Sequence, residues 1–167
     1  MGLRRVAVLF YCRHVPTEDD LSLTIRCQEF REAAVRLHGR YFPDDYGVGF
    51  SIDARAGGLR AELGDVRVWG YDDVWLPDFI AGLAADYRGW TGERTWETGH
   101  LSIRARWRAG GHVALTWALE SRLARSDSWH ASMTTWLEAG EQMTTLAADL
   151  SEFLPLPKTG TARPPRL

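Results

Sequence analysis

Hydrophobic and polar residues alternate along several short segments of this chain, which is the pattern of half-buried β-strands. In the first part of the sequence the alternation runs through residues 21–27, 33–37 and 46–54. Turn-forming residues border these segments: Pro43 lies between the second and the third, and the pair Gly57-Gly58 follows the third. The first part of the chain therefore reads as a series of strands joined by short connections.

A fourth predicted strand changes its pattern part-way along. The apolar residues at 59–63 share one parity, whereas those at 66–68 have the other. A slip of one residue turns every following side chain to the opposite face of a sheet. The sequence therefore predicts a β-bulge or tight turn at Gly64-Asp65.

The pattern then becomes helical. Apolar residues recur at three- and four-residue intervals from Leu76 to Tyr87, which predicts an amphipathic helix. Asp73 is suited to the N-cap, Pro77 to the first turn and Gly89 to the C-terminal stop.

Three more strands are predicted in the second part of the chain. They cover residues 101–107, 113–119 and 129–135. A two-residue Gly110-Gly111 loop would put the first two apolar rows on opposite faces. A three-residue loop, 109–111, aligns the rows and pairs Ile103 with Trp117.

A second amphipathic helix, with an apolar stripe over 143–154, ends the pattern at Pro155. The predicted order is β-β-β-β-α-β-β-β-α. Short connections favour antiparallel pairing, so we expect an α+β fold. It would have one antiparallel sheet of six to seven strands with both helices packed on one face.

Each half reads as strands followed by a helix, but the residues do not repeat at a fixed spacing, so we do not expect an internal duplication.

The charge of the chain is unevenly distributed. The net charge is −2, yet residues 15–154 contain 14 arginines and 22 acidic residues, a difference of −8. An acidic body repels phosphate, so we expect no nucleic-acid partner. Two cysteines in 167 residues do not form a disulfide framework, and no segment approaches the length of a membrane span. We therefore expect a cytoplasmic protein.

The two ends of the chain differ from its body. Residues 1–17 contain a short apolar run after Arg4-Arg5 but no convincing cleavage site, so we interpret them as an N-terminal extension. We expect a single domain over 18–155 and a disordered, basic, proline-rich tail over 156–167. The tail contains Leu-Pro-Lys-Thr-Gly at 156–160, a sortase-like pattern that lacks the following apolar span and is interpreted as chance.

One stretch carries a family resemblance. It reads Gly-Trp-Thr-Gly-Glu-Arg-Thr-Trp-Glu at 89–97, then Gly-His-Val-Ala-Leu-Thr-Trp at 111–117, and Thr-Trp-Leu-Glu-Ala-Gly-Glu-Gln-Met at 135–143. These runs resemble a family of small bacterial proteins known only as a domain of unknown function, over about residues 21–154. The resemblance supports the fold and implies no activity.

The richest polar cluster follows the first predicted helix. It consists of Trp90, Glu93, Arg94, Trp96, Glu97 and His100. One interpretation is a ligand or catalytic pocket, with a carboxylate as base, Arg94 as anion clamp and tryptophan walls. The other is a structured corner in which Arg94 pairs with Glu93 or Glu97, and this interpretation is favoured because structural ion pairs resemble sites. We assign no catalytic residue.

Metal and cofactor chemistry have no sequence signature. The five histidines, at positions 14, 38, 100, 112 and 130, match no metal-ligand spacing, so no metal is expected. In the predicted register His100 lies opposite Glu120, and His130 lies opposite Ala118. No glycine-rich phosphate loop lies between a predicted strand and helix, so no cofactor is expected.

Two functions remain open at this point. The acidic body and the lack of a catalytic motif favour a non-enzymatic binding protein, for example an immunity-like partner of a basic protein. The alternative is a small-molecule-binding protein or enzyme with its site around Glu93, Arg94, Glu97 and His100. The sequence does not indicate an oligomeric state.

Overall fold

The structure is a computed structural model that describes residues 21–70, 74–121 and 128–157. The predicted N-terminal extension and the suggested cap at Asp73 lie outside these residues, as does most of the predicted tail. The division into an extension, a domain and a tail stays a prediction.

The chain is α+β, as predicted, with eight strands and two helices in the described part. The strands are β1 (Leu23–Arg26), β2 (Ala34–Asp44), β3 (Gly47–Ala56), β4 (Leu59–Trp69), β5 (Glu93–Thr98), β6 (Leu101–Arg108), β7 (His112–Ser121) and β8 (Trp129–Glu138). The helices are α1 (Leu76–Ala85) and α2 (Glu141–Phe153). The order is therefore β-β-β-β-α-β-β-β-β-α, one strand more than predicted.

The strands form two sheets and not the single sheet of six to seven strands that the sequence predicted. The first sheet has the order β1-β2-β3-β4 and the second the order β5-β6-β7-β8, all antiparallel. Helix α1 separates them in the chain. Because each sheet is a simple meander followed by a helix, the two halves share an order of elements although their residues do not repeat.

Strand β5 was missed because its pattern is mostly polar. Trp96 is the one apolar residue of β5, and the other residues of its row are Arg94 and Thr98. The strand lies at the edge of its sheet and pairs only with β6 in the described chain. An edge strand has no second neighbour to cover it and tolerates such polarity.

The first sheet contains the predicted irregularity. Strands β3 and β4 join through Gly57-Gly58, and their register shifts between Phe50 and Ile52, opposite the Gly64-Asp65 step. Asp65 adopts a φ of 56°, which is left-handed backbone that Asp tolerates better than most residues. The bulge keeps the apolar residues on both sides of it facing inward, as the change in parity required.

The second sheet confirms the three-residue loop. Ile103 pairs with Trp117, and the ladder continues to Arg108 and His112 on either side of residues 109–111. One detail of the predicted register is wrong, since His130 pairs with Glu120 and not with Ala118. The register of β7 with β8 depends on a connection, 122–127, whose length the pattern did not define.

One hydrophobic core joins the two sheets and the two helices. The stripe of α1 buries Leu76, Ile80 and Leu83, whereas Tyr87 lies beyond the helix end and is exposed. The stripe of α2 is buried as predicted, and its Phe153 meets Phe50 of β3 edge to face, with ring centroids 5.9 Å apart. The helices also pack against each other.

Hydrogen bonds join the two sheets at two places. At one, the Gln28 N–H donates to the Trp136 carbonyl over 2.9 Å. At the other, the Thr98 hydroxyl donates to the Arg67 carbonyl over 3.0 Å. Among the described residues, neither helix has the combination of length and apolar composition that a bilayer-crossing helix needs.

Candidate functional site

Strand alternation divides the predicted site residues between two faces. Trp96 pairs with buried Ile103 and is itself only 5% exposed, so its row faces the core. Glu93 and Glu97, which are odd-numbered like Thr95, lie on the outer face opposite Arg106 and Ser102. The carboxylates therefore do not share a face with Arg94.

Arg94 and Glu93 engage different neighbours. The Arg94 guanidinium lies 2.6 Å from an Asp86 carboxylate oxygen, just beyond α1, and 4.8 Å from the ring centroid of Trp90. The Glu93 carboxylate accepts a hydrogen bond from Arg106 Nε over 2.8 Å. Arg94 thus does pair with a carboxylate, but with Asp86 and not with Glu93 or Glu97.

Trp96 and His100 bind backbone carbonyls of neighbouring segments. The Trp96 indole N–H donates to the Val74 carbonyl over 2.9 Å, which fixes the chain before α1 to β5. His100 Nδ1 lies 3.1 Å from the Glu120 carbonyl oxygen at the end of the β6–β7 pair. The structured-corner interpretation expected Arg94 to pair with Glu93 or Glu97, and the observed partner is Asp86. A ligand site at these residues stays a prediction.

The structure instead brings polar and aromatic side chains together on the first sheet. The buried row of β3, which includes Val48, Phe50 and Ile52, faces the core, so Gly49, Ser51 and Asp53 lie on the other side. We call the side that carries these three residues and their cross-strand neighbours the outer face of the first sheet.

A hydrogen-bonded triad lies on this face at the bulge. The Tyr41 hydroxyl donates to the Asp65 carboxylate, which also accepts two hydrogen bonds of 2.9 Å from the Arg67 guanidinium. The ring of Tyr41 lies across Gly49, where a Cβ atom would come within 2.2 Å of it. Glycine is therefore required for this packing.

The triad shifts two pKa values in opposite directions. Hydrogen bonds, first from Arg67 and then from Tyr41, lower the pKa of the Asp65 carboxyl below its usual value. Partial burial, followed by the hydrogen bond to Asp65, raises the pKa of the Tyr41 hydroxyl. Both groups therefore keep their neutral-pH forms, a carboxylate and a phenol, and the triad offers no group poised for proton transfer near neutral pH.

A second cluster lies further along the same face. His38, Asp53 and Glu62 come from β2, β3 and β4, and one potential ligand atom from each lies within 4.8 Å of the other two. Sequence patterns did not reveal this group because the residues are far apart in the chain. The two-residue Gly57-Gly58 turn could have placed Asp53 opposite Glu62, since it fixes the register of that hairpin.

One family model covers most of the chain. The chain belongs to DUF6228, a family of unknown function. The DUF6228 profile matches residues 26–157, which confirms the resemblance inferred from the tryptophan-containing runs. No curated protein and no solved structure matches the chain.

Proposed function

We propose that this DUF6228 protein is a non-enzymatic binding protein that acts inside the cell and recognises a basic protein partner. The observation that carries the proposal is a cluster of exposed aromatic rings at the β2–β3 hairpin tip, residues 41–46. Tyr41, Phe42 and Tyr46 are 36%, 54% and 42% exposed. Exposed rings of this kind are enriched at the centres of protein interfaces.

Acidic residues surround these rings. Asp44 and Asp45 lie within the hairpin tip, and the Asp44 carboxylate accepts a hydrogen bond from the Tyr46 N–H over 2.7 Å. Asp65 lies against the Tyr41 hydroxyl. Aromatic faces next to carboxylates are well suited to arginine and lysine, which stack on the rings and are attracted by the charge.

The hairpin tip continues into the surface of α2. Arg40 donates from Nη1 to the carbonyls of Glu152 and Phe153, both over 3.0 Å, and its guanidinium lies 5.4 Å from the Phe42 ring centroid. Helix α2 carries Glu141, Asp149 and Glu152 and contains no basic residue. The aromatic tip and an acidic helix thus offer one continuous surface.

An immunity-like role, in which the acidic surface neutralises a basic toxin, is one form of this function. It rests on the charge and size of the chain and on no structural relative. The alternative of a small-molecule site or enzyme at β5 has less support, because Glu93 and Arg94 each engage a neighbour and lie on different faces.

Binding to arginine-rich and glutamate-rich peptides of matched length would test the proposal. We expect the arginine-rich peptide to bind, with an affinity that falls as salt is added. The double variant Phe42→Ala/Tyr46→Ala should weaken binding at least about tenfold, the effect of losing one interface hot spot. Tyr87→Ala, which removes an equally exposed ring elsewhere, is the control. Equal binding of both peptides, or equal loss in the control, would refute the proposal.

A further inference from the structure

We propose that His38, Asp53 and Glu62 form a binding site for a divalent transition-metal ion of the zinc type on the outer face of the first sheet. This inference is independent of the proposed function, because it rests on a different part of the sheet from the hairpin tip. Three adjacent strands, β2, β3 and β4, supply one side chain each.

The register places two carboxylates directly opposite each other. Asp53 and Glu62 are cross-strand partners in the β3–β4 ladder. Like charges in directly opposed positions destabilise a sheet. Asp53 is also only 15% exposed in its side chain, so water screens its charge less than that of a fully exposed carboxylate. A cation between the two carboxylates would remove this repulsion.

The imidazole of His38 provides an independent indication. Its Nε2 atom is enclosed by protein and makes no hydrogen bond, although it lies 3.4 Å from Asp53 Oδ1. A buried nitrogen normally has a hydrogen-bond partner, so its lack of one needs an explanation. A neutral imidazole that points its Nε2 lone pair at a metal is satisfied without a hydrogen bond.

The distances suit a small metal ion. Zinc binds imidazole nitrogen and carboxylate oxygen at about 2.0–2.2 Å, so neighbouring ligands of a tetrahedral site lie roughly 3.4 Å apart. His38 and Asp53 already have this separation. Glu62 is exposed and all ligand atoms lie within 4.8 Å, so a rotation of its side chain can complete the set.

The ligand set also limits the kind of site. One imidazole and two carboxylates leave a fourth position for water, unlike the closed four-ligand sets of structural zinc sites. Arg55 lies 3.9 Å from the other Asp53 oxygen, and Arg36 is the cross-strand partner of Asp53 on β2. These positive charges weaken cation binding, so we expect an affinity below that of a structural zinc site.

Calorimetric titration of the full chain with Zn²⁺, without a histidine affinity tag, tests the inference. We expect one ion per chain and a higher thermal unfolding midpoint when zinc is present, because the ion links three strands. Asp53→Asn should abolish binding. Glu62→Gln should weaken it at least about tenfold, and because Glu62 is exposed we expect this variant to fold normally.

A matched control comes from the second sheet. His130 Nδ1 lies 3.6 Å from a Glu120 carboxylate oxygen, a similar pair that is not part of a three-residue ligand set in the described chain. His130→Gln should therefore bind zinc as the unaltered chain does. In nuclear magnetic resonance spectra, zinc should shift the ring signals of His38 and leave those of His130 in place.

Three results would each overturn the inference. The first is an absence of stoichiometric zinc binding by the folded chain. The second is binding that survives both Asp53→Asn and Glu62→Gln. The third is a loss in His130→Gln as large as the loss in Glu62→Gln.

Discussion

The two sheets have the same meander order but differ in regularity. In the first sheet the β2–β3 ladder shifts register on both sides of Tyr41, and the β3–β4 ladder shifts next to Phe50. In the second sheet all three ladders run without a shift. The candidate binding features lie on the irregular sheet.

The same order of strands thus contains one sheet with bulges and one without. Bulges bend a strand and redirect side chains, and they occur frequently next to functional sites. Here they accompany the exposed hairpin tip, the Tyr41 triad and the His38 cluster. On the second sheet, the hydroxyls of Thr116 and Thr134 form a hydrogen bond of 2.8 Å. Both sheets contribute to the shared core, and the candidate binding features lie on the irregular one.

The largest effect expected from this comparison is in the packed layer of the second sheet. Trp117 is fully buried and its indole N–H donates to the hydroxyl of equally buried Thr135 over 2.9 Å. Trp117→Ala should lower the free energy of unfolding by about 3–5 kcal/mol, measured by urea denaturation. Tyr41→Ala, on the outer face of the first sheet, should lower it by about 1 kcal/mol or less.

A milder variant tests the same point if Trp117→Ala does not fold. Trp117→Phe keeps a ring but leaves the Thr135 hydroxyl without its donor, at a cost of about 1–3 kcal/mol. Equal losses for Trp117→Phe and Tyr41→Ala would show that the two sheets do not differ in this way.

The second prediction concerns the close packing on the irregular sheet. Gly49→Ala should lower the free energy of unfolding by about 1 kcal/mol or less, because the new methyl group displaces the partly exposed Tyr41 ring. The loss should shrink when Tyr41→Ala is also present. Gly99→Ala, at a turn of the second sheet where a Cβ meets no atom within 4 Å, is the control. Additive losses in the double variant would contradict this interpretation.

The third prediction concerns the start of α2. The Glu138 carboxylate accepts hydrogen bonds from the N–H groups of Gly140 and Gln142, while the Gln142 side chain accepts one from the Glu138 N–H. Glu138→Ala removes this reciprocal cap and should lower the free energy of unfolding by about 1 kcal/mol at neutral pH.

The same cap has a defined pH dependence. The Gly140 N–H, followed by that of Gln142, lowers the pKa of Glu138 below its usual 4.5. Because the folded-state pKa is the lower one, the stabilisation is present above about 4.5 and is lost as the pH falls through the folded-state value. Urea denaturation at neutral and acidic pH should show the difference between Glu138→Ala and the unaltered chain shrinking in acid. A constant difference would argue against the cap.

The smallest effect is expected at the edge of the second sheet. The side chains of Arg94 and Asp86 are 39% and 49% exposed, so their ion pair is solvated. A double-mutant cycle with Arg94→Ala and Asp86→Ala should give a coupling free energy of about 0.5 kcal/mol. A coupling far above 1 kcal/mol would mean that this corner is more than a solvated contact.

Much of the fold could be predicted from short-range patterns. The alternation at 46–54 gave β3, and the change in parity around Gly64-Asp65 gave the bulge. The matching of apolar rows gave the three-residue loop before β7. In each case the information lies within one strand or one hairpin, where a period of two and a loop length determine which side chains face the core.

The candidate site was less predictable for the same reason. Trp90 and Arg94, which are close in the chain, do contact each other. The sequence did not show that β5 is a strand or that alternation separates Glu93 from Arg94. In a connection after the helix, neighbouring polar residues could converge on one site. In a strand, consecutive residues point to opposite faces.

Hydrophobic periodicity predicted most of the buried residues of every element except β5, because this periodicity is a local property of the chain. Only the three-dimensional arrangement shows that the strands divide into two sheets, that Arg94 meets Asp86, and that His38 meets Asp53 and Glu62. These contacts depend on the register between strands and on the packing of elements that are distant in the chain. Many long-range pairings satisfy the same local pattern, and the burial of one shared core selects among them.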